Sequence, residues 1–139
     1  MANNIIIKSF LLFFILFFNF LNAATIEDIA YKAFKEGDPK KAFMLYKEGA
    51  KADSLKSYLM LGVFLEKGVG VQADKEKAIK LYKLVLKRAK EISATKEDLE
   101  KIDIVLVALK RLYQLTNKQA YFYLMQKLQQ IRKEALQKE

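Results

Sequence analysis

Cysteine, histidine and tryptophan are all absent from this chain. Without thiols there can be no disulfide and no thiolate nucleophile. Without imidazole there is no ordinary zinc site and no histidine acid–base catalysis. Carboxylates alone could hold a hard cation, yet no Asp-rich loop with calcium-ligand spacing occurs. No metal, no cofactor and no catalytic residue is therefore expected. Proline occurs once, at Pro39, and glycine five times. So few chain breakers among many Ala, Leu, Lys, Glu and Gln residues favour long helices. A length of 139 residues suits one small domain.

What is present is uneven. Met1 to Lys8 is weakly basic, Ser9 to Leu21 is an apolar run rich in Phe and Leu, and Leu21-Asn22-Ala23-Ala24 offers small residues to a signal peptidase. A secretory signal peptide over residues 1–23 is expected, cut after Ala23. An uncleaved membrane anchor is the alternative; the 17 residues from Ile5 to Leu21, interrupted by Lys8 and Asn19, reach only the lower limit for a span. The expected location is periplasmic or secreted, with membrane contact only through an uncleaved leader. Loss of the leader removes Lys8 and leaves 24 cations against 16 anions, a net charge of +8. For an exported chain this charge points to solubility or to anionic surfaces outside the cell membrane, not to nucleic acid.

The middle of the chain repeats itself. Asp38-Pro-Lys-Lys-Ala-Phe-Met-Leu-Tyr-Lys-Glu-Gly-Ala-Lys51 aligns with Asp74-Lys-Glu-Lys-Ala-Ile-Lys-Leu-Tyr-Lys-Leu-Val-Leu-Lys87, with seven of fourteen positions identical at an offset of 36 residues. That offset belongs to helix–turn–helix solenoids. Asp38 and Asp74 read as N-caps, with Pro39 at the first helical position. Ala42 and Ala78 are small where helices cross closely, and Leu45, Tyr46, Leu81 and Tyr82 fall on packed stripes. Each of these helices follows another. Thr25-Ile-Glu-Asp28 has the form of a capping box. Ser54 can cap a helix whose stripe is Ser57, Leu61 and Leu65. Gly37 and Gly68-Val-Gly70-Val end the two first helices.

Ser57 to Leu86 resembles a Sel-one-like repeat, a relative of the tetratricopeptide repeat. The resemblance rests on Leu61, Gly62, Gly68, Gly70, Val71, Asp74, Lys77, Ala78 and Tyr82, with packing residues exchanged at Ser57, Leu65, Leu81, Val85 and Leu86. Residues 29–51 resemble a shorter, more tetratricopeptide-like unit. The resemblance implies an all-α fold of stacked antiparallel helical hairpins, a short α-solenoid of about six helices. Its concave side would be lined by the first helix of each hairpin, placing Tyr31, Phe34, Lys35, Val63 and Lys67 in a partner-binding groove. Phe34 could instead pack between repeats. Aromatic rings with lysines suit a protein or peptide partner, here an acidic one. An anionic envelope polymer is a second candidate.

In the C-terminal third, Thr95-Lys-Glu-Asp98 repeats the capping-box pattern, and Leu99, Ile102, Val105, Leu106, Leu109, Leu112 and Tyr113 follow at helical spacing. Asn117 reads as a break, after which Ala120, Tyr121, Leu124, Leu128 and Ile131 continue. This predicts a third, degenerate hairpin over about 95–137, after hairpins over about 25–52 and 54–90, in one repeat domain over residues 24–139. Tyr121-Phe122-Tyr123 reads as core with one exposed ring.

Ser93-Ala-Thr-Lys96 matches the S-x-x-K nucleophile motif, and cysteine-rich secreted relatives of this repeat family have been described as penicillin-binding or weakly β-lactam-hydrolysing. No S-D-N or K-T-G partner exists here, and in a lysine-rich chain such a match arises by chance. Lys40-Lys41, Lys87-Arg88, Lys110-Arg111 and Arg132-Lys133 read as solvated helix faces, since no aromatic–basic platform accompanies them. The expected function is an exported helical-repeat interaction module or scaffold in the bacterial envelope. A β-lactamase-like hydrolase and a dedicated immunity or chaperone-like partner protein are the alternatives.

Overall fold

The computed structural model describes residues 24–89 and 91–137, together with Lys8. The expected leader, apart from Lys8, lies outside the described residues. The described residues form six α-helices in three hairpins: α1 (Ile26–Lys35) with α2 (Pro39–Lys51), α3 (Leu55–Lys67) with α4 (Lys75–Arg88), and α5 (Leu99–Thr116) with α6 (Gln119–Gln137). Each hairpin also packs on the next, α2 on α3 and α4 on α5, while α3 touches α5 directly. Among the described residues the second helices are not packed on one another in this way, whereas α1 reaches α3 through the side-chain pairs Glu27–Ser57 and Phe34–Phe64. The first helices therefore form the inner row and the second helices the outer row of the stack. No described helix is long and apolar enough to cross a membrane.

Local chemistry sets the helix starts. Thr25 accepts the Asp28 amide while the Asp28 carboxylate accepts the Thr25 amide, a reciprocal cap. Asp38 and Asp74 each accept the amide three residues on, at 3.0 and 2.9 Å, and Ser54 does the same for Ser57. Two ends close in the left-handed conformation, at Gly68 with φ 69° and at Asn117 with φ 52°. One expectation fails. Thr95 does not cap α5, which begins at Leu99; the segment before it is irregular. The Asp98 carboxylate that a capping box would need instead accepts the Ser93 amide at 2.8 Å and pairs with Lys101 at 2.7 Å. Competition from this local acceptor network sets the later start.

Two connected cores hold the stack. Ala30, Ala33, Ala42, Tyr46, Leu61 and Phe64 bring α1, α2 and α3 together. A larger one joins α3 to α6 around Tyr82, Val85, Ile102, Leu112 and Leu128. Burial of each large aliphatic side chain here is worth about 2 kcal/mol. Ala42 and Ala78 are fully buried, as close crossing requires. Among the described residues, those of both cores and the buried Ala135 lie within 30–135. The last helix is the least covered. Phe122 and Tyr123 are both exposed, against the single exposed ring expected, and Phe122 leans on Tyr113 at 5.5 Å. Beside them the outer side of α6 carries Gln126, Gln130 and Lys133, while Leu124 and Leu136 are exposed as well, so the last helix shows a mixed polar and apolar surface.

Candidate functional site: the inner face of the first helices

The repeat residues form the mortar between helices. Gly62 lets Tyr82 lie against the α3 backbone: a Cβ at Gly62 would stand 2.5 Å from the Tyr82 ring. The Tyr82 hydroxyl then donates to Glu66 at 2.6 Å, and Glu66 also accepts from Arg111 at 3.5 Å. Burial, followed by the Glu66 hydrogen bond, pushes the Tyr82 phenol far above its ordinary value. One tyrosine thereby ties α4 to α3 and, through the carboxylate, to α5. Gly70, with φ 66°, brings the loop after α3 onto the start of α2, where a Cβ would meet the Pro39 carbonyl carbon at 2.6 Å. The remaining motif positions divide in the same way. Leu61 and Ala78 are buried, Val71 packs on both cores, and Lys77 pairs with its cap Asp74 at 2.9 Å.

The first-hairpin interface holds a polar cluster that sequence reasoning missed. The fully buried Ser57 donates to Glu27 at 2.8 Å, beside Gly49, where any Cβ would collide with the Ser57 hydroxyl. Burial raises the Glu27 pKa, and hydrogen bonds from Ser54 and Ser57 outweigh it, leaving the carboxyl below its ordinary value. The signal was available: a Ser within an apolar helical stripe demands a partner.

Of the expected groove residues, Tyr31, Lys35 and Lys67 are exposed, Tyr31 by 54%. Phe34 is 40% exposed and lies 5.6 Å from the buried Phe64 ring, so it bridges α1 to α3. Val63 is half-buried against the larger core. Helical spacing puts Lys56, Val63 and Lys67 on one side of α3, and Glu100, Val107 and Gln114 on the corresponding side of α5. Val107 is 41% exposed and was not singled out from sequence.

Because α1, α3 and α5 run in the same direction, their N-terminal ends meet at one rim. A cleft of about 580 Å³ opens there, lined by Glu27, Asp28, Glu97 and Glu100 with Lys56 and Lys101. The Thr25 side chain and amide hold the Asp28 carboxyl below its ordinary value. Lys35 and Lys67 occupy the last turns at the opposite rim. The inner face thus has its carboxylates gathered at one rim and Lys35 and Lys67 at the other. Only α1 carries both charges in dipole-complementing positions, since α3 has no acid in its first turn and α5 no base in its last.

Ser93 and Lys96 sit exposed in the irregular segment before α5. No group of three or more Asp or Glu residues able to hold a metal occurs among the described residues.

No curated protein and no solved structure matches the chain. The family model described as Sel1 repeat matches residues 33–54 and 55–84. These segments coincide with the end of α1 through α2 and with the α3–α4 hairpin, and the second contains Gly62, Gly70, Asp74 and Tyr82 described above. Residues 33–84 are two Sel1 repeats, helical units that generally mediate protein–protein interaction.

Proposed function

We propose that the inner face of α1, α3 and α5 binds an extended segment of a partner protein, and that the chain works as an exported interaction module or scaffold in the bacterial envelope. The observation carrying this reading is the run of three parallel first helices presenting Tyr31, Val63 and Val107 between an acidic and a basic rim. A segment lying along these helices would place its acidic residues toward Lys35 and Lys67 and its basic residues toward Glu97 and Glu100. Tyr31 supplies a large anchor of low conformational entropy, the residue type in which binding energy concentrates. Export is supported by the basic-then-apolar leader pattern of residues 1–23.

Site-specific photo-crosslinking tests the reading. A photoreactive residue at Tyr31 should capture one partner of defined mass, and the same residue at Lys133 on the outer side of α6 should not. Tyr31→Ala combined with Lys35→Glu should weaken recovery of that partner by about tenfold or more. Equal capture from both positions, or none from Tyr31, would overturn the assignment.

A further inference from the structure

Charge is segregated between the two rows of helices. The outer helices α2, α4 and α6 carry 13 Lys or Arg against 3 acidic residues, whereas the inner helices α1, α3 and α5 carry 7 against 5. The repeat sharpens this. Of its seven identities, Asp, Ala, Leu and Tyr are explained by capping and burial, and Lys41/Lys77 lies in the first turn, where Lys77 pairs with its cap Asp74, but Lys47/Lys83 and Lys51/Lys87 are exposed, so packing gives no reason for them. Helical spacing aims Lys40, Lys47, Lys80, Lys83 and Lys87 away from the core. Among the described residues none of these five takes part in an ion pair; Lys51, Lys77 and Arg88 are paired, with Glu48, Asp74 and Asp53. In their midst, at the repeat position matching Lys80, stands Met44, 66% exposed.

We infer that the outer face of α2 and α4 is an electrostatic docking surface for an anionic lipid bilayer. Three observations favour a bilayer over a soluble polyanion. The free cations are all lysines, point charges on flexible stems, and the one arginine of α4 is paired with Asp53; no fork-shaped donors are laid out for bidentate phosphate recognition. The lysines sit on the outer row of the stack, spread over two helices, where a broad surface can reach several at once. An exposed thioether among lysines is the amphipathic arrangement of an interfacial contact, with an apolar tip entering between headgroups. The contact is peripheral, since no described helix can span.

The test uses the mature protein expected after leader cleavage, Ala24 to Glu139, once a cooperative helical melt shows it folded, in co-sedimentation with phosphatidylglycerol or phosphatidylcholine vesicles. Binding should require phosphatidylglycerol and fall steeply with salt. A lysine near such a surface contributes about fivefold, so Lys47→Gln, Lys83→Gln and Lys87→Gln together should weaken binding on the order of 100-fold. The equally charged control, Lys32→Gln with Lys56→Gln and Lys110→Gln on the inner helices, should weaken it far less. Met44→Ser should weaken it several-fold at unchanged charge. Equal loss from both lysine triples would mean that net charge alone acts, and the face assignment falls. An unaffected Met44→Ser variant, or displacement from vesicles by polyphosphate at equal phosphate concentration, would replace the bilayer with a soluble polyanion.

Discussion

Replacing Gly62 by alanine sets two physical effects against each other. In an exposed helix interior Gly→Ala stabilises by about 1 kcal/mol, because alanine loses less backbone entropy. Here the new methyl would stand 2.5 Å from one Tyr82 ring carbon and 2.9 Å from the next. The ring has little room to retreat, being fully buried and tied through its hydroxyl to Glu66 at 2.6 Å. Such overpacking costs typically 1–3 kcal/mol, so Gly62→Ala should be neutral to destabilising by about 2 kcal/mol once the propensity gain is included. The cleaner quantity is the sign change in a double-mutant cycle. Tyr82→Leu removes the obstructing ring at its own cost of about 2–4 kcal/mol. In that background Gly62→Ala should become stabilising, giving a coupling of about 1–3 kcal/mol. Urea midpoints of the four proteins measure this directly. Should Gly62→Ala stabilise the parent protein as much as it stabilises the leucine variant, the close Gly62–Tyr82 approach is not what fixes this repeat.

Gly70→Ala, at φ 66° with its Cβ 2.6 Å from the Pro39 carbonyl carbon, should lose more than 2 kcal/mol in thermal melts. Gly37→Ala, at φ 86° with nothing within 4 Å, should lose only about 1 kcal/mol, and equal losses would remove the argument from close approach. Ser57→Ala deletes the donor to Glu27 and should cost about 1–2 kcal/mol at pH 7. The Glu27 pKa is lowered in the folded state, so its stabilisation is present above the ordinary value of 4.5 and fades as pH falls through the folded value. The parent and Ser57→Ala urea midpoints should therefore converge in acid, and a gap that widens there would contradict the hydrogen-bond account. Nitrocefin turnover by purified protein should be indistinguishable from buffer, and activity abolished by Ser93→Ala would install the hydrolase reading instead.

Where a residue's task is local, the chain states it openly. Asp38, Asp74, Ser54 and Thr25 each sit before an apolar period and cap the helix that begins there, because a short side chain reaches its amide three residues on with no help from the fold. Thr95 shows the limit of that logic. Its capping pattern is as good as that at Thr25, but the acid it needs is taken by the Ser93 amide and by Lys101, and no local pattern reports such competition. The inner face was legible only in part for a related reason. Tyr31 and Lys35 stand out on α1, whereas Val107 falls outside the apolar stripe of α5 and carries no mark of its own until the packing of α5 on α3 and α4 leaves it exposed.

Charge distribution is the least local property of all. Along the sequence the lysines look evenly spread, and the formal charge of +9 points to solubility or to an anionic surface without saying which face would meet it. Folding into hairpins sorts alternate helices into inner and outer rows, so a bias carried by every second helix becomes a bias between two faces. Charge repulsion among 13 cations on one row opposes folding slightly and is relieved by any anionic counter-surface. Packing alone gives no reason to place them there, since the inner helices expose ample surface for lysine. The asymmetry therefore calls for an explanation outside the core, and docking by the outer row leaves the inner face of α1, α3 and α5 free to engage a partner at the same time.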